Sequence, residues 1–361
     1  MSYDLVVLGL SLSSSWGNGH ATTYRALLKA YARAGRRILF LEREQPWYAA
    51  HRDLPAPDFC TLAFYDSLDD LTRHGPAIAG ARAVMVGSYV PDGLAVARMV
   101  LGHAQGVTAF YDIDTPVTLA TLERGACAYL SADLIPGFDL YLSFTGGPTL
   151  ERLERVFGAR RARALYCAVD PEAYRPLDIL PLYDLGYLGT YAPDRQPALE
   201  RLLLAPARAA PDLTFAVAGS QYPADITWPD NVMHLDHVPP GEHAAFYAAG
   251  RFTLNLTRAD MVKAGFSPSV RLFEAGACGT PIISDPWPGL ETLFSPVTEI
   301  LIARDTSDVL RTLHLMEEPE RKAIGARGRT RVLAAHTAAH RAEELDRHIA
   351  AAALEGAAVS A

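Results

Sequence analysis

Cysteine is scarce in this chain, and no two cysteines sit close together. Cys60, Cys127, Cys167 and Cys278 are the only four in 361 residues, and none falls in a CxxC or other metal-ligand spacing. No zinc motif or disulfide framework is therefore legible; thiols buried in a reducing cytoplasm are expected. Basic clusters are also lacking. Lys and Arg number 33 against 41 Asp and Glu, a formal net charge of −8. Such a surface disfavours nucleic acid and anionic membranes, which both need basic patches. The densest basic run, Arg160-Arg161-Ala162-Arg163, reads as a solvated helix end before a strand. No segment reaches the roughly 18 apolar residues of a membrane span. The opening MSYDLVVLGL has no basic leader region and no cleavage site, so it reads as a first strand. These features together lead to the expectation of a cytoplasmic protein with no membrane span and no nucleic-acid partner. The low-complexity tail from residue 350 is expected to fray.

What is present is an alternation of short apolar runs and longer amphipathic stretches. Strands are expected at 4–10, 37–42, 60–65, 83–87, 107–113, 139–144 and 163–167, and helices at 21–34, 92–104 and 148–157. Strands that alternate with helices imply βαβ units and a parallel sheet. Residues 169–184 then carry Pro171, Pro176 and Pro181. Proline removes an amide donor and fixes φ, so this stretch is a connector. After it the pattern restarts, with strands at 184–189, 213–219, 232–235, 252–256, 281–284 and 299–302. Helices follow at 195–204, 241–249, 268–277 and 306–316, and 319–353 is helical almost throughout. The fold class is α/β, with two Rossmann-like domains facing a cleft. The expected domains are 1–170 (acceptor side), a proline-rich linker 171–183, 184–335 (donor side), and a helix and tail 336–361 that packs back on the first domain. Open α/β sheets bind ligands beyond the carboxyl ends of their strands.

The most informative string is GFSPSVRLFEAGACGTPIISD, residues 265–285. Ser267 then Pro268 predicts a helix start: a capping hydroxyl, then proline at the first helical position. Free amides and the positive end of the helix dipole there suit a diphosphate. Arg271 and Glu274 lie near one face of that helix. The arginine suits phosphate oxygens. The carboxylate suits a pair of vicinal ribose hydroxyls. The plain alternative is a capped helix with an Arg–Glu pair.

FEAGACGTPIISD resembles the nucleotide-sugar signature of the large retaining group of GT-B glycosyltransferases. The resemblance implies ribose binding by Glu274 and diphosphate binding by Ser267, Pro268 and Ser269. That group carries a second glutamate eight residues before the first; here the position is Phe266, which leaves its donor-sugar contacts open. Arg271, with NLTRADM and SDPWPGLETLF around the signature, is more like the CgeB-like, spore-maturation-type bacterial glycosyltransferases. The same resemblance assigns the loop after 184–189 to the diphosphate through Thr190 and Arg195. It assigns Gly219, Ser220, His237 and Val238 to the nucleotide base. Read without it, Arg195 is a surface arginine and His237 a loop histidine.

In FYDIDTPVTL, residues 110–119, Asp112 and Asp114 alternate at a strand's end and are expected on one face. Close carboxylates can hold sugar hydroxyls or act as a base; the plain reading is that Asp114 caps the next helix. Asp114 and Thr115 are candidate substrate contacts, and Asp112 is a candidate catalytic residue. SSSWGNGHATT, residues 13–23, contains GxG, but Thr22 stands where a dinucleotide loop needs its third glycine. Its glycines also come seven to nine residues after the first strand. Glu42 ends the second strand, where a dinucleotide fold keeps its ribose acid. The NAD reading is therefore the weakest. Trp16, Gly17, Asn18 and Gly19 are expected to face a sugar, with His20 as base or sugar ligand. Trp47, Tyr48, His51 and Tyr89 are further candidates for stacking on an acceptor.

The expected activity is a glycosyltransferase using a nucleotide-diphosphate sugar such as a UDP-sugar. It is expected to retain anomeric configuration and to need neither metal nor cofactor. The acceptor is a small molecule or a glycan. The alternatives are a nucleotide-sugar epimerase of the same fold and a non-catalytic sugar-nucleotide-binding protein.

Overall fold

The apolar runs become strands buried on both faces, which is why they read as continuous and not as alternating. A computed structural model describes residues 2–17 and 19–359, with side chains as far as Gly356. Asn18 lies outside the described residues. The chain divides into two compact units, one of residues up to Cys167 with those from Ala338 onward, the other Ala168–Thr337.

The first unit holds seven strands: β1 Leu5–Gly9, β2 Ile38–Arg43, β3 Thr61–Tyr65, β4 Ala83–Gly87, β5 Val107–Asp112, β6 Leu140–Ser143 and β7 Ala162–Ala164. Their order is β3-β2-β1-β4-β5-β6-β7, and every pairing is parallel. Alternation sorts the side chains. Val6, Leu8, Val84, Val86 and Phe110 enter one core; Leu5, Val7, Ala83, Met85 and Tyr111 enter the other. The second core is completed by the last helix, Ala338–Val359, through Ala342, Leu345, Ile349 and Ala352. That helix packs on the first one, His20–Arg33. Burying Leu345 and Ile349 contributes about 1.5–3 kcal/mol each. Asp346 between them accepts from Tyr31 Oη at 3.1 Å, Arg36 at 2.8 Å and Arg82 at 2.6 Å. Those groups are part-exposed, so the apolar contacts dominate.

The second unit holds β8 Tyr183–Leu188, β9 Phe215–Ala218, β10 Val232–Leu235, β11 Gly250–Asn255, β12 Ile282–Ser284 and β13 Leu301–Ile302. The order is β10-β9-β8-β11-β12-β13, again parallel throughout. In each sheet the order reverses once, between β1 and β4 and between β8 and β11. Such a switch point opens a crevice at the carboxyl ends of the two strands.

Four expectations shift. The stretch 171–183 contains no helix, and its only strand residue is the first of β8; it belongs to the second unit. The helix expected to end at 204 runs on as a π turn, Glu200–Leu204, and then Ala205–Ala209. Pro206 has no amide for an α-helical bond, and the wider turn before it relieves the ring's clash with the preceding turn. The long helix expected over 319–353 is two, Glu318–Ala335 and Ala338–Val359. They part at His336, whose φ is −130° and ψ 22°, and Thr337 bridges to Val169. The tail expected to fray is helical to Val359. Among the described residues no helix is long and apolar enough to cross a membrane.

Candidate functional site

The second unit's switch point is bridged by one side chain. Arg271 Nε donates to the carbonyl of Leu188, at the end of β8, over 2.7 Å. Its Nη1 donates to Asn255 Oδ1, at the end of β11, over 3.1 Å. The guanidinium lies 4.7 Å over the Tyr187 ring, and the residue is only 6% exposed. Nη2 makes no hydrogen bond among the described residues. It faces Gly189, where an added Cβ would come within 2.7 Å of it. A buried, oriented cation is thus left with donors to spare, which suits an anionic oxygen.

Arg271 is the second residue of the helix Val270–Ala277. The expected start at Ser267-Pro268 is therefore corrected by two residues. The reason lies in the hydroxyls. Ser267 Oγ donates to the Gly265 carbonyl at 3.0 Å. Ser269, the actual N-cap, donates its hydroxyl to Asn255 Oδ1 at 2.7 Å. The N-cap side chain makes no capping bond to the amides of this end, so the dipole's positive end remains available to a ligand. The approach is through an unusual turn: Gly265 has φ +67° and Phe266 φ +49°. Phe266 donates its amide to the Pro288 carbonyl at 2.6 Å. A left-handed phenylalanine costs about 1–3 kcal/mol, and this one stands where the resembled group has its second glutamate.

Glu274, one turn further, is 3% exposed. Its Oε2 accepts from Tyr247 Oη at 3.0 Å and lies 3.9 Å from His243 Nδ1. His243 Nε2 sits 3.1 Å from the Val238 carbonyl, and Nδ1 is 3.2 Å from Tyr174 Oη. Tyr174, His243 and Tyr247 were not singled out from sequence; an isolated tyrosine or histidine, in a turn or a helix, carries no signal of a distant carboxylate. Burial and Glu274 push both phenols well above their usual range. They therefore stay neutral donors that orient Glu274 and leave Oε1 for another partner.

Around this centre lie the other expected loops. Arg195 Nη2 donates to the Thr190 carbonyl at 2.6 Å, while its buried Nε has no partner. Tyr222 donates to the Gly189 carbonyl at 3.1 Å. Its phenol is raised by burial, while the charges of Arg195 and Arg271 oppose that rise, so Thr190, Arg195 and Arg271 border one region. Gly219 is obligatory there. Its φ is +157°, and a Cβ would meet the Gly189 carbonyl oxygen at 2.1 Å. The Ser220 carbonyl accepts the Tyr191 amide at 2.9 Å. His237 is exposed and Val238 buried, the latter with its carbonyl engaged by His243.

The first unit settles the role of Glu42. The carboxylate is 1% exposed. It accepts from Ser11 Oγ at 3.0 Å, Leu12 N at 2.7 Å, Ser13 N at 2.9 Å and Ser13 Oγ at 2.7 Å. It is consumed in holding the loop after β1 and has no capacity for a dinucleotide ribose. Asp53 pins Ser15, two residues further on, accepting from its N at 3.0 Å and its Oγ at 2.6 Å while pairing with Arg25. Trp16, 46% exposed, stacks on His51 at 4.5 Å. Gly17 needs glycine for its φ of +65°. Gly19 has φ −80° and open space around it, so only one of the two glycines is demanded by conformation.

Asp112 and Asp114 do not share a face. Asp112, at the end of β5, is fully buried. It accepts from Tyr141 Oη at 2.6 Å, Thr118 Oγ1 at 2.8 Å and the Asp114 amide at 3.2 Å. Burial raises its pKa to about 6. It is corrected from a catalytic to a positioning residue: it anchors the helix Thr115–Glu123 from below. Thr115 is also fully buried, its hydroxyl 2.8 Å from Ser143 Oγ, and is withdrawn as a substrate contact. Asp114 sits at the N-cap yet makes no capping bond through its side chain. His20 opens the first helix, is 7% exposed, and among the described residues has no hydrogen-bond partner for Nδ1. Among the described residues no group of three or more His, Cys, Asp and Glu is arranged to hold a metal ion.

Comparison with known proteins follows this geometry. Residues 195–347 match the glycosyl transferase-like family. No curated protein matches the chain. Among solved structures, sucrose-phosphate synthase from Thermosynechococcus elongatus is similar at 14% identity, covering 95% of this chain and 98% of that one, with TM-score 0.68. HepE from Anabaena, in complex with UDP-glucose, is 12% identical over 96% and 99%, with TM-score 0.68. An E. coli trehalose-6-phosphate structure bound with UDP-2-fluoro glucose is 12% identical over 96% and 98%, with TM-score 0.65. At such identities the likeness is one of fold: the chain has the two-domain α/β architecture of GT-B proteins.

Proposed function

We propose that this chain is a glycosyltransferase whose donor is a nucleotide-diphosphate sugar. The observation that carries this reading is the end of the helix Val270–Ala277. Uncapped amides, a half-satisfied buried Arg271 and a preoriented Glu274 lie within two turns, beside the glycine loops of β8 and β9. The family match over the same unit supports it, and so do the UDP-sugar complexes of two structural neighbours.

In the proposed reaction an acceptor hydroxyl attacks the anomeric carbon and forms the new C–O bond. The bond from that carbon to the diphosphate oxygen breaks. The acceptor's proton passes to the departing phosphate, and a nucleoside diphosphate leaves. Arg271, the helix amides and Arg195 stabilise the charge that grows on the leaving group. The site is proposed to need no metal and to retain anomeric configuration. Its nucleotide is proposed to be UDP. Among the described residues no disulfide joins the four cysteines, which suits a reducing compartment.

A thermal-shift panel of UDP, GDP, ADP and NAD tests the reading. Ligand at a hundred times its Kd stabilises a protein by about 2.7 kcal/mol. A rise in Tm with UDP or GDP and none with NAD is expected. No rise with any nucleoside diphosphate would overturn the donor assignment, and an inverted anomeric coupling in the product would overturn retention.

A further inference from the structure

Asn255 closes β11 with its side chain fully buried. Its Oδ1 accepts twice, from Ser269 Oγ at 2.7 Å and from Arg271 Nη1 at 3.1 Å. Its Nδ2 donates to Ser284 Oγ at 3.0 Å and, over a longer 3.4 Å, to Thr257 Oγ1. An amide can be turned over in its own plane, so its sense is fixed by where the protons lie. Ser284 gives its proton to the Asp285 carbonyl at 2.9 Å, and Thr257 gives its own to Asp285 Oδ1 at 2.9 Å. Both hydroxyls therefore face Asn255 as acceptors only. The NH2 group must point to them, and the oxygen must point to the helix that begins at Val270.

That sense has an electrostatic consequence. The buried arginines among the described residues are Arg271, Arg321 and Arg341. Arg321 pairs with Glu318 and Arg341 with Glu344, each at 2.7 Å. Arg271 has no ion pair among the described residues; the oxygens that hold it are the Leu188 carbonyl and the Asn255 amide. Glu274, on the same helix, accepts from Tyr247 instead. Asp285 is near enough for the charge of Arg271 to oppose the rise that burial gives its carboxyl. Its hydrogen-bond chain to the guanidinium nevertheless runs through Thr257 and Asn255. A neutral oxygen orients an arginine without neutralising it, whereas a carboxylate in the same place does both. A buried cation held this way is costly until an anion arrives.

We propose that Asn255 is the positioning residue that makes this helix end selective for an anion: it aims Arg271 and the Ser269 hydroxyl and leaves the guanidinium charge to the ligand. Asn255 acts through Arg271 and has no contact with the ligand of its own. The identity of the anion, a nucleoside diphosphate, rests on the transferase reading; the charge logic rests on the hydrogen bonds around Asn255.

The test sets shape against charge. Asn255→Asp keeps the shape and adds a negative charge; Asn255→Ala loses the shape and adds none. The full-length wild type and both variants are titrated calorimetrically with UDP and with inorganic pyrophosphate, and with uridine by NMR. Asn255→Asp is expected to weaken UDP and pyrophosphate about a hundredfold, because the added carboxylate takes the guanidinium. Asn255→Ala is expected to weaken them about tenfold, because the arginine loses its aim but keeps its charge. Uridine carries no charge and is expected to bind all three proteins alike. A role in packing alone makes Asn255→Ala the poorer binder of UDP and lowers uridine binding with it. That order, or wild-type affinity for UDP in Asn255→Asp, would overturn the proposal. Ser284→Ala covers the case in which neither variant folds. It removes the nearer acceptor that turns the amide and is expected to weaken UDP about fivefold; unchanged affinity there would also overturn the proposal. Pyrophosphate separates this proposal from the transferase reading. If UDP binds every variant as it binds the wild type, the reading stands and the proposal falls. If the wild type binds pyrophosphate but no nucleoside diphosphate, and Asn255→Asp loses pyrophosphate, the proposal stands and the transferase reading falls.

Discussion

Replacing Gly189 by alanine separates the site's function from the fold. The backbone at 189 has no left-handed requirement, and its amide bond to the Ala218 carbonyl at 2.8 Å is kept by alanine. The new Cβ would lie 2.7 Å from Arg271 Nη2, 2.7 Å from Tyr187 Oη and 2.9 Å from the same ring's Cζ. A guanidinium and a hydroxyl are the mobile ends of side chains, so they move and the backbone does not. Overpacking of this kind costs about 1–3 kcal/mol, and yielding side chains put the expectation near the lower end. The guanidinium, however, is pushed off the direction left open for a phosphate, and the ring that supports it shifts too. A hydrogen bond to a charged group is worth about 1.5–3 kcal/mol, which is roughly a tenfold to hundredfold loss in nucleotide affinity. Isothermal titration with UDP gives the Kd, and urea unfolding gives the stability. A Gly189→Ala protein that binds UDP as tightly as the wild type would refute the role given to Arg271.

Two further outcomes follow from neighbouring residues. Gly219→Ala places its Cβ 2.1 Å from the backbone oxygen of Gly189, at a φ of +157°. No side chain can yield there, so we expect at least 3 kcal/mol of lost stability by urea unfolding, on the order of other overpacked and strained sites. Asp112→Asn tests the buried carboxyl, whose pKa rises from 3.8 to about 6 on folding. Above pH 6 the folded state holds an ionised, desolvated carboxylate. As the pH falls from 6 to 4 it takes up a proton before the unfolded state does, so the wild type gains stability relative to Asp112→Asn by up to about 3 kcal/mol. Carboxylates whose pKa folding lowers, such as Asp53, act in the opposite direction in both proteins and cancel in the difference. A stability difference independent of pH would contradict the raised pKa.

The architecture was legible because parallel strands buried on both faces must be apolar runs, and Leu5–Gly9 and Ala83–Gly87 are such runs. The helix proposed to receive the diphosphate was legible as a string, but its first residue was not. Ser267 looks like a capping hydroxyl, yet it donates to the Gly265 carbonyl two residues back, and Ser269, the actual N-cap, gives its hydroxyl to Asn255. Asp112 and Asp114 looked equivalent because strand alternation is local; Tyr141 and Thr118, which bury one acid and spare the other, come from a different strand and helix. Glu42 stands where a dinucleotide fold keeps its ribose acid, but four donors from one loop occupy it. Tyr89 was legible as an aromatic side chain in a loop, but its left-handed backbone was not, since a left-handed tyrosine has no sequence signature. Tyr247 and His243 were hidden for a similar reason: their role depends on a carboxylate about thirty residues away.

The central claim is that the helix beginning at Val270 receives the diphosphate, with Glu274 on the ribose. A crystal structure with UDP, or with whichever nucleotide raises Tm most, tests it most directly. The account predicts diphosphate oxygens at the amides of Val270 and Arg271 and at Arg271 Nη2, with a ribose hydroxyl on Glu274 Oε1. A nucleotide bound elsewhere on the second unit, or at the glycine loop of the first, would contradict it.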